Sequence, residues 1–111
     1  MEERRDPFQA IADPVRRDII GLLAHKSLTV NSVVDEFSIS RPAISRHLRI
    51  LNECGVIRFK KQGRERLCEL QPKNLMPVAD WVAPYRKMWE ERLDTFEDYL
   101  EQLQAKHKQD E

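Results

Sequence analysis

"SISRPAISRHLRILNECGVIRFKKQGRERLCEL", Ser38 to Leu70, joins two hydrophobic periods at a single glycine. In its first half Ile44, Leu48 and Leu51 recur at spacings of four and three, the stripe of a helix with one buried face. Ser40 is a good N-cap for that helix, and Pro42 lies in its first turn, where a missing N–H costs little. Gly55 suits a left-handed stop. Beyond it the period falls to two, with Ile57 and Phe59 on one side and Arg58 and Lys60 on the other. A second run, Arg66 to Leu70, follows a turn at Gln62-Gly63-Arg64-Glu65, so the pair reads as a β-hairpin with a basic tip.

The preceding sequence supplies the helices this unit needs. Asp6-Pro7 and Asp13-Pro14 each place a capping carboxylate before a proline at the first helical position. They predict a short helix from Pro7 to about Ala12 and a longer one from Pro14 to about His25. The second has Val15, Ile19, Leu22 and Leu23 on one face. Thr29 caps a third, "VNSVVDEF", with Val30, Val33, Val34 and Phe37 inward. Helix, short turn, helix, then hairpin is the order of a winged helix-turn-helix: mainly α with a β-hairpin wing, an α+β fold. After Leu70, "QPKNLMPVADW" reads as a connector with a short helical turn. A long helix then runs from about Trp81 or Tyr85 to Lys106, and Pro84 either opens it or bends it. Tyr85, Trp89, Leu93, Phe96, Leu100 and Leu103 form a near-heptad stripe of the kind that packs on another helix. Residues 1–111 therefore read as one winged-helix domain, with 81–106 as a C-terminal pairing helix.

The formal net charge of zero conceals a division along the chain. Ser38 to Arg66 contains eight Lys/Arg against two acids, and Lys87 to Glu111 contains four against eight. A solvated face normally mixes the two signs, so a basic middle between acidic ends points to a polyanion as partner. Arg41, Ser45 and Arg49 lie on one line of the outer face of the Ser40-capped helix, with Pro42 and Arg46 beside them. A major groove admits such a helix, and Arg can bond bidentately to a guanine edge. Lys60, Lys61, Arg64 and Arg66 on the hairpin would follow the neighbouring backbone or enter the minor groove. His47 falls at the edge of the apolar stripe, where a hydrogen-bonded boundary histidine and a phosphate contact are both open. Together these residues nominate double-stranded DNA.

"AIADPVRRDIIGLL", the Ser38–Leu70 stretch and "YRKMWEERLDTFEDYL" resemble the ArsR-type winged-helix repressors over roughly Phe8 to Leu100. The tail is similar to that of a metal-independent branch with a long C-terminal helix. The resemblance implies a cytoplasmic homodimer that represses transcription from an operator. It implies that Ser40, Arg41, Pro42, Ser45, Arg46 and His47 belong to the recognition helix, and Gly63-Arg64 to the wing. It also implies a dimer interface of first and last helices, here Phe8 with the stripe from Tyr85 to Leu103. Metal-sensing members carry paired cysteines in or near the helix before the recognition helix. This chain has Val33 and Val34 there, which offer no donor. Cys54 and Cys68 are 14 residues apart with no His in a usual zinc spacing, and read as buried small hydrophobes. No metal or cofactor is expected, and no inducer is named.

Other functions leave weaker signatures. No Gly-rich phosphate loop, nucleophile–base set or metal motif points to an enzyme. No apolar run approaches the roughly 20 residues that span a bilayer, and two isolated cysteines suggest a reducing compartment. Two alternatives stay open: a winged-helix module that docks on another protein through its tail stripe, and a metal- or small-molecule-responsive repressor with an atypical site.

Overall fold

The computed structural model describes residues 5–109. The chain forms two compact units, one up to Val78 and one from Ala79 onward. The first contains α1 (Pro7–Ala10), α2 (Pro14–Leu23), β1 (Leu28–Thr29), α3 (Val30–Asp35), α4 (Arg41–Glu53), β2 (Ile57–Gln62) and β3 (Glu65–Leu70). A 3-10 turn over Pro72–Leu75 then leads into α5 (Met76–Gln109). This is the helix-turn-helix and wing order expected from the alternating periods.

Each helix of the first unit starts on the side chain expected to cap it. Asp6 accepts from the Gln9 amide at 3.0 Å, and Asp13 from Val15 and Arg16 at 2.9 and 3.1 Å. Thr29 accepts from the Ser32 amide and Ser40 from that of Ala43. These bonds satisfy amides that have no partner within the helix. At its other end α4 closes in a Schellman motif. Gly55, at φ +77°, donates to Asn52 O, and Val56 donates to Leu51 O. Leu51 and Val56 are both fully buried, so the hydrophobic contact that accompanies this motif is made inside the core.

The core is a single cluster that includes Ile19, Leu23, Val33, Ile44, Leu48, Leu51, Val56, Ile57 and Cys68, with Val15, Val30, Val34, Phe37 and Phe59 packed against it. Its members from α2, α3 and α4 are among those the periodicity nominates, whereas Leu22 lies outside the cluster and Ala10 of α1, which the pattern did not single out, is fully buried in it.

Several boundaries differ from the sequence expectation. The first three helices end sooner, at Ala10, Leu23 and Asp35 rather than Ala12, His25 and Phe37. The hairpin is part of a three-stranded antiparallel sheet in the order β1-β3-β2, because Leu28 and Thr29 pair with Cys68 and Leu67. A two-residue strand has no alternation to read. The helix expected over 81–106 begins at Met76 and reaches Gln109. Pro77 sits in its first turn, where no amide is needed, so the proline that looked like part of a connector is inside the helix. Pro84 does not open α5 but lies within it, which leaves the Asp80 carbonyl without its usual i+4 donor.

Taken alone, α5 is 34 residues, roughly 50 Å long at 1.5 Å per residue. Tyr85, Trp89, Leu93, Phe96, Leu100 and Leu103 are all 40–60% exposed along it. Trp81 and Tyr85 form a tilted ring pair one turn apart, with centroids 5.4 Å from each other. In the first unit Phe8 is also exposed. Among the described residues no helix is long and apolar enough to cross a membrane.

Candidate nucleic-acid interface

Burial of Ile44, Leu48 and Leu51 fixes the rotation of α4 and therefore decides which residues it turns outward. Ser40, Arg41, Pro42, Ser45, Arg46 and Arg49 are exposed as expected. His47 differs from them. Its side chain is only 18% exposed, and its Nδ1 lies 3.4 Å from Arg16 Nη1 and 3.8 Å from Asp13 Oδ2. The boundary role is thus occupied, and only Nε2 is left for a phosphate.

The residue His47 leans on is one that the hydrophobic pattern did not single out. Arg16 is the one buried charged residue among the described residues. It donates from Nε to Ala10 O at 3.0 Å and from Nη2 to Gln9 O at 2.9 Å. One guanidinium thereby bonds two carbonyls at the end of α1, of which Gln9 O also accepts from the Ala12 amide, while its third nitrogen reaches α4. A signal was present: Arg16, Ile19 and Leu23 share one helical phase, so a cation stood in a core position. Burial pushes the Asp13 carboxyl upward. The Arg16 amide, the charges of His47 and Arg16, and the Val15 amide outweigh it and hold the pKa below its ordinary value.

On the wing, β2 and β3 pair from Ile57↔Leu70 to Gln62↔Glu65, leaving Gly63-Arg64 as a two-residue loop. Gly63 alone has positive φ, +64°, as a type II′ turn requires at its first position. Glu65 Oε1 accepts from Asn31 Nδ2 at 3.4 Å, which links the wing to α3.

The register sorts the basic residues by face. Directly opposed residues share a face, so Lys61 and Arg66 lie with Phe59, Cys68 and buried Ile57. Lys60 lies on the other face with Arg58, whose Nη2 is 3.6 Å from Glu69 Oε2. Arg64 is at the exposed tip.

The core-side face of the hairpin looks onto α4. Between them is a cleft of about 500 Å³ whose lining includes Ser45, Arg46, Arg49, Asn52, Phe59 and Arg66. The structure therefore brings three of the expected arginines together, while Arg41, Lys60, Lys61 and Arg64 do not line the cleft. The Arg66 guanidinium carbon stands 4.3 Å over the Phe59 ring centroid. Arg49 Nε is 4.0 Å from Glu53 Oε1, while Glu53 Oε2 accepts from Arg5 Nε. With Arg49 69% exposed, that pair is worth at most about 1 kcal/mol and does not sequester the cation. Asn52 and Phe59 complete the cleft, although neither stands out in the sequence as a binding residue.

Both cysteines are buried and unbonded to each other. Burial pushes the Cys68 thiol up to about 11, with the Arg66 charge only partly opposing it. Burial likewise raises Cys54, against Arg5 and Arg16. Neither is poised as a thiolate.

Known proteins give this geometry a context. Residues 13–58 match the model of bacterial regulatory proteins of the arsR family. The chain is 36% identical over 78 residues to the transcriptional repressor SdpR of Bacillus subtilis, an alignment covering 70% of this chain and 87% of SdpR. It is 36% identical over 77 residues to the transcriptional repressor SmtB of Mycobacterium tuberculosis, covering 68% of this chain and 57% of SmtB. The crystal structure of an ArsR family transcriptional regulator superposes with a TM-score of 0.66 at 36% identity, covering 76% of this chain and 92% of that one. An ArsR-like regulator from Rhodococcus gives 0.62 at 28%, with 80% and 84% covered. The matched segment carries the Asp13 cap, Arg16, the whole of α4 and the first residues of the wing. The chain belongs to the ArsR family of bacterial transcriptional regulators, and it is a regulator rather than an enzyme.

Proposed function

We propose that this regulator is a repressor that acts in the cytoplasm as a homodimer on an inverted-repeat operator. The observation that carries the proposal is the outward face of α4, where Arg41, Ser45 and Arg46 stand exposed beside a basic hairpin. The N-terminal half of α4 enters a major groove, where Arg46 and Arg41 read base edges and Ser40 and Ser45 contact bases or phosphates. Arg49, Lys61, Arg64 and Arg66 meet the sugar-phosphate backbone, and Lys60 adds longer-range attraction from the far face of the wing. Repression is supported by the names of SdpR and SmtB as repressors.

Dimerisation rests on α5. Six exposed apolar side chains in one stripe are each worth up to about 1.5–3 kcal/mol when removed from water, and a second copy offers the same stripe. Phe8 joins this interface from the N-terminal side. Metal independence is the reading supported by α3, where buried Val33 and half-buried Val34 pack into the core and present no donor.

The test is selection of bound fragments from the source genome, followed by titration of the recovered site. The expected product is an inverted repeat with half-site centres about 34–36 Å apart. Arg46→Ala should weaken that complex and relax base preference, whereas Lys61→Ala should weaken all sequences nearly equally. Recovery of no common sequence, or identical losses of specificity in both variants, would overturn the reading. On the dimer, Leu93→Glu with Phe96→Glu should give a monomer in sedimentation at micromolar concentration; a persistent dimer would remove α5 from the interface.

A further inference from the structure

We infer that the cleft between α4 and the hairpin seats one backbone phosphate, and that Phe59 is the positioning residue that holds the Arg66 guanidinium in it. This rests on the DNA-binding reading and goes further by dividing the basic residues between base edges and backbone.

The chemistry of the lining is that of an anion site. Arg49, Arg66 and the Asn52 amide line a space of about 500 Å³ together with Arg46 and Ser45, which belong to the base-reading half of α4, and among the described residues no carboxylate lines it. Guanidinium presents paired N–H donors that match two phosphate oxygens at once. The position along α4 decides between phosphate and base. Helix-turn-helix proteins read bases with the N-terminal part of the recognition helix. Arg49 and Asn52 lie in the C-terminal half, toward Gly55 and the hairpin, where the helix leaves the groove and the flanking strand passes.

Phe59 and Arg66 are diagonal neighbours on adjacent strands, since Phe59 opposes Cys68 and Lys61 opposes Arg66. The ring is half-buried against the core and so does not move with its guest. The guanidinium at 4.3 Å over it is restricted to one side of the hairpin, the side of α4. A stack of this kind is weak at an exposed site, too weak to matter for folding. Its effect is to set the direction of a flexible cation before the phosphate arrives, which lowers the ordering cost of binding. Directly opposed Lys61 and Arg66 repel each other, and a phosphate seated beside them would relieve that repulsion.

The experiment is fluorescence anisotropy of the full chain with a labelled mixed-sequence duplex of 30 base pairs between 50 and 200 mM NaCl. Each phosphate contact contributes about −0.9 to the slope of log K against log[salt]. Arg66→Gln should make the slope shallower by about that amount per protomer. Phe59→Leu, which removes no charge, should do the same. Phe59→Trp should retain the wild-type slope, and the Arg66→Gln, Phe59→Leu double variant should lose no more than either single one. Arg58→Gln, on the opposite face and paired with Glu69, should leave the slope unchanged. Should Phe59→Leu fail to fold, the Arg66 Nε–Hε resonance of the wild type decides. It should lie upfield under the Phe59 ring current and shift on adding duplex, with the anisotropy midpoint. A wild-type slope in Arg66→Gln, a wild-type slope in folded Phe59→Leu, or an Arg66 resonance that ignores the duplex would overturn the inference alone. Salt-independent binding by the wild type would instead remove the DNA reading on which it stands.

Discussion

Replacing Arg16 by Met should destabilise the first unit more than any change at the exposed arginines. The methionine retains an unbranched apolar stem but none of the donors. Two charge-assisted bonds disappear, to Gln9 O at 2.9 Å and Ala10 O at 3.0 Å, and each such bond is worth about 1.5–3 kcal/mol net. The expected loss is therefore about 3–6 kcal/mol. A unit of this size has a total stability of roughly 4–12 kcal/mol at 0.05–0.15 kcal/mol per residue, so the variant should be marginal at 25 °C. Arg16→Lys keeps the charge on a compact ammonium that cannot bridge two carbonyls and His47 in one plane, and should lose about half as much. Urea denaturation followed by far-UV circular dichroism measures both. A loss below about 1 kcal/mol for Arg16→Met, at unchanged m, would mean that water, with the Ala12 amide already bonded to Gln9 O at 3.1 Å, satisfies those carbonyls and that the buried guanidinium is not what fixes α1.

Two further outcomes concern titratable groups. Asp13 is held below its ordinary pKa of 3.8, so its contribution is fully present above that value and is lost as pH falls through the folded-state pKa. Wild-type stability should thus fall more steeply below about pH 4 than that of Asp13→Asn, and parallel acid limbs for the two proteins would count against this coupling. Cys54 and Cys68 should both resist a disulfide-exchange thiol reagent at pH 8 in the folded protein and both react in denaturant; rapid reaction of Cys68 in the native state would contradict its burial and a pKa of about 11.

Most of the candidate interface was legible because its residues sit where local rules are strong. Ser40, Pro42 and Gly55 delimit α4, and the stripe Ile44, Leu48, Leu51 sets its rotation, which forces Arg41, Ser45, Arg46 and Arg49 outward. The hairpin was legible for the same reason, since Gly63 fixes the turn and the turn fixes the register. What escaped depended on partners distant in sequence. Leu28 and Thr29 form a strand only because β3 offers an edge. Arg16 is explained only once α1 turns two carbonyls toward it. The start of α5 was obscured by Pro84, which disfavours a helix locally but is carried within one here, and by Pro77, which fits a connector as well as a first helical turn. Phe59 looked like an ordinary inward residue of a strand, and only the register shows that its ring also faces Arg66.

The distribution of carboxylates argues that the cation-rich surface is kept unbalanced rather than merely basic. Arg5 and Arg49 share Glu53, and Arg58 has Glu69. Among the described residues, Arg41, Arg46, Lys61, Arg64 and Arg66 make no ion pair within 4 Å. Acids are not scarce in this chain, which has as many as it has Lys and Arg, yet eight of its 19 lie beyond Lys87. A surface optimised for folding alone would have mixed the signs, and would not set Lys61 directly across from Arg66. Each like-charge neighbour in the free protein costs a few tenths of a kcal/mol to about 1 kcal/mol. That cost is recovered only when an external polyanion supplies the missing charge, so stability and binding pull in opposite directions at these positions. Exchanging Lys61 for Glu would accordingly stabilise the hairpin and weaken its hold on DNA, the two effects arising from the same opposed pair.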